Sequence, residues 1–275
     1  MRAGRYVHLR IFALLIYSQF FLDGGSGSLT ANPIRSEHIT VSLLSEFKSV
    51  GAGQTVWIAW QLSPDPHWHT YWKNPGDSGK PTTVEWFLPE GSVMSVLKWP
   101  YPKTFQVGPV VNYGYDQNVL LMSELTIPGR MLNTGAFPIE GEASWLVCEE
   151  VCIPGKARIK LDIPLSDSRI ESSSHIVFDK FRGLLPKNLK SIGSVLVSDD
   201  LIKFRWKLPV SFNLDEKNAE WYAFNQELLN HSASQRISWM APYLYLEQVQ
   251  NNYFEKLNEE ESGVLVLSKG RHKEA

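Results

Sequence analysis

The feature that most limits the possible folds is a series of short apolar and aromatic segments separated by turn-forming residues. Between Glu37 and Leu165 these segments are rich in Val, Ile, Thr and aromatic residues, as β-strands are. Stretches such as PGDSGKP and PEGS predict turns between them, because Gly, Pro, Ser and Asp favour bends. Several short strands at this spacing predict a β-sandwich in which one face of each strand is buried. The segments are HITVSLLSEF, QTVWIAWQLS, TTVEWFLP, NVLLMSELTIP, GEASWLVC and ARIKLDIPL.

The composition changes after this region. The serine-rich stretch SDSRIESSSH predicts a linker, and IVFDKFRGLLP has apolar residues near helical spacing, which predicts a short helix ended by Pro186. From Ile192 strand patterns resume, with SDD as a hairpin turn between two apolar runs. We therefore predict a β-sandwich over residues 32–165, a linker with a short helix over 166–186 and a second, smaller β domain over 187–275.

The amino terminus has the pattern of a secretory signal peptide. Three arginines precede an apolar run from Ile11 to Leu22, and small and polar residues follow it. This run is too short to span a bilayer comfortably. We therefore predict a signal peptide over residues 1–31 and export to an oxidising compartment, where two neighbouring cysteines tend to pair.

The charge balance argues against nucleic acid as a partner. The whole chain has a formal net charge of −2. Removal of the predicted signal peptide, with its three arginines and one aspartate, would take the formal charge of the mature chain to −4. A mildly acidic chain lacks the positive surface charge that binding to phosphates requires.

Both cysteines of the chain, Cys148 and Cys152, lie in the stretch WLVCEEVCIP. They could form a structural disulfide, bind a metal or exchange electrons as a dithiol–disulfide couple. Zinc and iron–sulfur sites usually take four protein ligands, so a metal site would need further ligands, such as His67 and His69. That H-x-H pattern would put both imidazoles on one face of a strand.

The spacing favours exchange over a structural role. A bridge across so short a loop removes little entropy from the unfolded chain. In a regular strand, residues four apart are separated by roughly 13 Å, which exceeds the separation that a disulfide tolerates, so the chain must turn between them. Glu149 and Glu150 lie between the cysteines, and negative charge raises the pKa of a thiol. The pair is therefore expected to react with dedicated partners that align the sulfurs.

Four stretches carry a resemblance to a known family. These stretches, and the order in which they follow one another, closely resemble the periplasmic amino-terminal region of DsbD-type and ScsB-type transmembrane thiol:disulfide reductases. The resemblance covers roughly residues 37–165. The most specific element is WLVCxxxC, and the second half of the chain resembles the companion β domain of the ScsB-like branch. The four stretches are HWHTYWKNPGDSGKPTTVEW, LKWPYPKTF, VNYGYDQNVLL and SWLVCEEVCIPGKARIKLDIPL.

The resemblance implies an immunoglobulin-like domain that passes reducing equivalents to periplasmic thioredoxin-fold oxidoreductases, without a bound cofactor. Cys152 would form the mixed disulfide with the partner, and Cys148 would resolve it. The family also has a loop that caps the cysteines, and the nearest match, VNYGY, makes Tyr113 and Tyr115 candidate cap residues. Family members continue into membrane helices and a thioredoxin-like domain, which the printed sequence does not include. Either a separate membrane-embedded reductase supplies the electrons, or the chain is a truncated or diverged relative whose cysteines have another use.

Two alternatives remain open at this stage. In the first, the sandwich is a non-enzymatic protein-binding module with a structural disulfide. In the second, the chain handles copper, with His67, His69 and the two thiols as ligands. The stretch YWKNPGDSGKP is interpreted as a structural turn, because Asp77 can bond to its own backbone and Pro75-Gly76 favours a bend.

Overall fold

The computed structural model describes residues 29–130, 135–189, 193–209, 219–269 and 272–274. The predicted signal peptide falls on residues 1–28, outside the described residues, and on 29–31, which pair with residues 43–45. In the described residues the chain forms twenty strands and one helix. The prediction of an all-β fold is therefore confirmed.

Thirteen strands precede the helix, and the ladders that join them are antiparallel. They are β1 (Ile34–Ser36), β2 (Ile39–Ser45), β3 (Phe47–Ser49), β4 (Thr55–Pro64), β5 (His69–Gly76), β6 (Thr83–Phe87), β7 (Val93–Met94), β8 (Lys103–Val107), β9 (Val110–Tyr115), β10 (Val119–Thr126), β11 (Ala136–Cys148), β12 (Cys152–Pro164) and β13 (Ile170–Glu171).

Two sheets enclose the main core. One has the strand order β1-β2-β4-β10-β7, and the other has the order β12-β11-β5-β9-β8 with β6 paired to β11. Alternate residues of β11 point inward, as period-two burial in a half-buried strand requires. The fully buried Trp60 and Trp72 lie in this core. Two sheets packed over a single core make an immunoglobulin-like β-sandwich.

The segment predicted as a linker contains the predicted short helix, α1 (His175–Arg182). Phe178 and Phe181 of α1 are buried in the main core. The helix ends at Arg182 with Gly183 as its C-cap, so the prediction that Pro186 ends it is wrong by one turn. The physical reason is that glycine, which has low helix propensity, comes before the proline in the chain.

Seven further strands follow: β14 (Gly193–Ser198), β15 (Leu201–Lys207), β16 (Ala219–Ala223), β17 (Arg236–Met240), β18 (Tyr243–Val249), β19 (Gly263–Lys269) and β20 (His272–Glu274). They form two sheets, with orders β14-β15-β18-β17 and β16-β19-β20. The SDD hairpin turn is confirmed, since β14 pairs with β15 across Asp199 and Asp200.

The sheet that contains β16 and β19 has both faces buried. On one side, Tyr222, Val264 and Val266 belong to the main core of the sandwich. Trp221 and Ala223 point to the other side, into a second and smaller core. The carboxyl-terminal strands therefore pack directly against the sandwich through this shared sheet.

Candidate redox site

The two cysteines face each other across a tight turn. Strand β11 ends at Cys148 and β12 begins at Cys152, and the two residues are partners in the antiparallel register. Their Cα atoms are 4.2 Å apart and their sulfurs are joined in a disulfide. The prediction that the chain must turn between them is therefore confirmed. We call residues 148–152 the cysteine turn.

The two sulfurs belong to residues with very different access to solvent. Cys148 is only 2% exposed, whereas Cys152 lies among the exposed residues. The tip of the turn is exposed too, with Val151 at 68% and Glu149 and Glu150 beside it. A partner can therefore approach the disulfide from the Cys152 side.

Tyr71 contacts both sulfurs from inside the protein. This residue of β5 is 1% exposed, and its hydroxyl donates a hydrogen bond of 2.9 Å to Cys148 Sγ. The same hydroxyl lies 3.3 Å from Cys152 Sγ. Burial raises the pKa of Tyr71, an effect that a hydrogen bond with the Ser78 side chain reduces, so the phenol keeps its proton at neutral pH.

Sequence reasoning missed Tyr71 because its contact with Cys148 spans 77 positions of the chain. The available signal was the strand periodicity of HTYW together with its place in the family-like stretch HWHTYWKNPGDSGKP. That signal predicts a buried aromatic residue and not its hydrogen-bond partner.

His69 is the register partner of Cys148 on the neighbouring strand. Its ring stacks on Phe105 at 4.8 Å and meets the Tyr71 ring edge-on at 5.3 Å. Burial lowers the pKa of His69, although Asp116 opposes this effect, so its imidazole is neutral at neutral pH. His69 therefore adds no positive charge beside the sulfurs.

The residues proposed as copper ligands are not arranged as the alternative requires. Strand β5 begins at His69, and His67 precedes it as an exposed turn residue with φ of +75°. The expectation that both imidazoles share one strand face is therefore wrong, because the chain is not extended at His67. Among the described residues, one group of three potential ligands lies within metal-binding distance, and it is a different set: Glu46, His175 and Asp179.

The positive charge next to these carboxylates is the guanidinium of Arg182. Arg182 Nη2 lies 2.6 Å from Glu46 Oε1 and 2.7 Å from Asp179 Oδ1. His175 Nδ1 lies 3.0 Å from the same oxygen of Glu46. This ion-pair cluster fastens α1 to the residue that joins β2 and β3, which is a structural role.

The last residues of β5 and the turn that follows them pack against the Tyr71 ring. We call residues 74–79 the NPGDSG turn. A Cβ atom on Gly79, whose φ is +89°, would lie 2.3 Å from the Tyr71 ring, so glycine allows the turn to press against that ring. On the same turn, Ser78 donates hydrogen bonds from its backbone and hydroxyl to Asn112 Oδ1. The stretch YWKNPGDSGKP is thus a strand up to Gly76 and turns after it. The Asp77 carboxylate accepts a hydrogen bond from the Val111 amide, and not from its own backbone as the sequence had predicted.

The other side of the NPGDSG turn contacts the carboxyl-terminal strands. Asn74 is 1% exposed, and its Nδ2 donates a hydrogen bond of 2.8 Å to the Ala223 carbonyl. Its Oδ1 accepts a hydrogen bond of 2.9 Å from the Gly76 amide. Gln226 Nε2 donates to the Gly76 carbonyl at 2.7 Å. The same short turn thus contacts Tyr71 and the shared sheet.

The structure places both candidate cap residues in buried positions on β9. The Tyr113 hydroxyl lies 3.2 Å from His231 Nδ1, and its ring meets Tyr222 edge-on. The Tyr115 hydroxyl donates a hydrogen bond of 2.7 Å to the Pro100 carbonyl. These contacts join β9 to other parts of the chain and do not involve the cysteines.

Residues 40–164 match the family described as thiol:disulfide interchange protein DsbD, N-terminal. The fold resembles the crystal structure of the N-terminal periplasmic domain of ScsB from Proteus mirabilis, with a TM-score of 0.64 and 16% sequence identity. That likeness covers 90% of this chain and 96% of the ScsB domain. A comparison with curated protein sequences finds no match.

The described residues contain no helix with the length and apolar character needed to cross a membrane. The disulfide in the cysteine turn lies within the matched residues and agrees with thiol–disulfide interchange as the activity of the family. Residues 40–164 are therefore similar to the DsbD N-terminal family of thiol:disulfide interchange proteins.

Proposed function

We propose that the protein relays reducing equivalents in the periplasm through the Cys148–Cys152 pair to thioredoxin-fold partner proteins. The observation that carries this proposal is the unequal access to the two cysteines. Cys152 is exposed beside the apolar tip of a turn, whereas Cys148 is 2% exposed. A structural bridge has no need of such an arrangement, but an exchanging pair needs one accessible sulfur for each partner to reach.

The chemistry follows from this asymmetry. A donor thiolate attacks Cys152 Sγ, the bond between the two cysteines breaks, and its electron pair leaves on Cys148. A second donor thiol then releases Cys152 as a thiolate and leaves the donor oxidised. Cys152 next attacks the disulfide of the acceptor, and Cys148 resolves the mixed disulfide, which restores the Cys148–Cys152 bond and leaves the acceptor reduced.

The exposed surface of the cysteine turn supports a thioredoxin-fold protein as the partner. Val151 offers an apolar contact at 68% exposure, and Glu149 and Glu150 add negative charge around it. A partner with an apolar surface next to its own reactive cysteine could cover Val151 and bring the two sulfurs into line. The electron donor in this proposal is a membrane-embedded reductase.

A cap role for Tyr113 and Tyr115 stays a prediction. Displacement of these residues by a partner would require the loss of the hydroxyl contacts to His231 and to the Pro100 carbonyl. The periplasmic location is likewise proposed. It is supported by the signal-peptide pattern of residues 1–31 and by the periplasmic origin of the ScsB domain.

Two single-cysteine variants test the proposal. The partner is a periplasmic thioredoxin-fold oxidoreductase that keeps only its exposed cysteine, activated as a mixed disulfide with thionitrobenzoate. Cys148→Ser leaves the exposed Cys152, and we expect a stable mixed disulfide with release of thionitrobenzoate. Cys152→Ser leaves the buried Cys148 and serves as the matched control, for which we expect at least tenfold slower release. Equal rates, or faster release by Cys152→Ser, would contradict the assigned roles.

The reduction potential separates exchange from a structural disulfide. The protein is equilibrated in glutathione buffers, and free thiols are counted by alkylation. A potential near or above about −250 mV supports the relay, and one below about −300 mV indicates a structural disulfide in a binding module.

A further inference from the structure

The Tyr71 hydroxyl is placed to do chemistry that the fold alone does not require. It donates 2.9 Å to Cys148 Sγ and lies 3.3 Å from Cys152 Sγ, so one phenol reaches both reacting atoms. A disulfide sulfur is a weak hydrogen-bond acceptor, whereas a thiolate is a strong one. The contact therefore becomes stronger when the disulfide opens.

Opening the disulfide from the exposed side creates a buried charge. When a partner thiolate bonds to Cys152, the electron pair of the broken S–S bond resides on Cys148, which is 2% exposed. Burial disfavours a thiolate, and Glu149 and Glu150, next in the chain, disfavour it further. The imidazole of His69, the register partner of Cys148, is neutral and offers no compensating charge.

Tyr71 is held in position before the reaction begins. Its side chain is buried, the NPGDSG turn presses on its ring at Gly79, and the His69 ring lies against its edge. Burial raises the pKa of the phenol, so the hydroxyl retains the proton that it donates. A donor fixed in this way stabilises developing charge without the reorganisation that a mobile group would need.

We propose, on the basis of the exchange function above, that Tyr71 is a catalytic residue whose hydroxyl stabilises the Cys148 thiolate whenever Cys152 is bonded to a partner. In the forward step, the partner S–Cys152 bond forms, the Cys148–Cys152 bond breaks, and Tyr71 donates a hydrogen bond to the departing Cys148 thiolate. In the resolving step the same thiolate attacks Cys152, and the partner leaves with the electron pair. Tyr71 keeps its proton throughout.

The test measures the pKa of the single thiol in Cys152→Ala, by thiolate absorbance and by the pH dependence of alkylation. Alanine removes the second sulfur without adding a hydroxyl. Adding Tyr71→Phe is expected to raise the Cys148 pKa by about one unit, which is about tenfold less thiolate at neutral pH. The matched control is Tyr222→Phe, which removes another buried hydroxyl, bonded to Glu220 Oε2 at 2.7 Å, and should leave the Cys148 pKa unchanged.

A second variant keeps the test decisive if Tyr71→Phe does not fold. Incorporation of 3-fluorotyrosine at position 71 makes the phenol a stronger donor with little change of shape, so the Cys148 pKa should fall. An unchanged Cys148 pKa in a folded Tyr71→Phe variant, or with the fluorinated residue, would overturn the proposal.

A kinetic measurement separates this proposal from the proposed function. With both cysteines present, Tyr71→Phe should slow the attack of a reduced thioredoxin-fold protein on the disulfide several-fold. If the wild-type protein exchanges with that partner and the Cys148 pKa does not move, the role of Tyr71 is wrong and the relay stands. If the pKa moves but the wild-type protein exchanges with no thioredoxin-fold partner, the role of Tyr71 stands and the relay is wrong.

Discussion

The cysteine turn and the NPGDSG turn lie on either side of Tyr71, and they differ in almost every physical respect. The cysteine turn is exposed from Glu149 to Cys152 and carries the sulfur chemistry. The NPGDSG turn is largely covered, with its polar groups paired to β9 and to the carboxyl-terminal strands. Reactivity is thus placed where a partner can reach it, and the rigid support is placed behind it.

The difference teaches that the support is not uniform along the NPGDSG turn. Gly79 touches the Tyr71 ring, whereas Asn74 bonds to the Ala223 carbonyl of the shared sheet. A substitution at Gly79 should therefore alter both the stability of the fold and the chemistry of the sulfurs. A substitution at Asn74 should alter stability alone.

The largest effect is expected from Gly79→Ala. The new Cβ would lie 2.3 Å from the buried Tyr71 ring, and alanine is strained at a φ of +89°. We expect the free energy of unfolding to fall by about 3 kcal/mol from overpacking and backbone strain together. Denaturant unfolding measures this loss, and the Cys148 pKa in Cys152→Ala should rise as the hydroxyl moves.

The matched control for Gly79→Ala is Gly53→Ala. Gly53 also has a positive φ, +72°, but the space around its missing Cβ is open. For Gly53→Ala we expect the free energy of unfolding to fall by only about 1 kcal/mol, from backbone strain alone. The Cys148 pKa should not change. Equal losses of stability in the two variants would mean that the NPGDSG turn does not press on Tyr71.

Local patterns in the sequence predict much of this architecture. The strands, the bend between Cys148 and Cys152, the SDD hairpin and the short helix all follow from periodicity and turn residues that lie close together in the chain. The end of the helix was misplaced because Pro186 is the stronger breaker, yet Gly183 comes first. Each of these signals lies within a few neighbouring residues, so it can be read directly from a short stretch of the sequence.

The contacts that make the site could not be read in the same way. Tyr71 contacts Cys148 across 77 residues and Cys152 across 81, and Asn74 contacts the Ala223 carbonyl across 149. Neither side chain differs locally from an ordinary core aromatic or turn residue. Their roles depend on which strands become neighbours, and the pairing of β11 with β5 is fixed by packing of the whole sandwich.

A smaller effect is expected from Asn74→Ala. The substitution leaves the buried Gly76 amide and Ala223 carbonyl without the side chain that pairs with both. We expect the free energy of unfolding to fall by about 2 kcal/mol, the typical cost of unsatisfied buried polar groups. Asn118→Ala is the control, because its bond to Ser63 is exposed and its loss should cost little. The reduction potential of the disulfide should stay unchanged, and a shift would show that both sides of the turn control the sulfurs.

The smallest effect on stability, and one confined to chemistry, is expected from the double variant Glu149→Gln/Glu150→Gln. Both residues are exposed in the cysteine turn, so the unfolding midpoint should not move. Loss of two negative charges should lower the pKa of the Cys152 thiol and speed its alkylation in Cys148→Ser about twofold at neutral pH and low salt. Because salt screens exposed charges, this increase in alkylation rate should be smaller at high ionic strength. The control is Glu90→Gln, an exposed residue on a different turn, which should not change the alkylation rate at low or at high salt. An alkylation rate that is the same with and without the two charges would mean that the exposed turn leaves its sulfur unaffected, and that control of reactivity lies entirely with the buried side of the site.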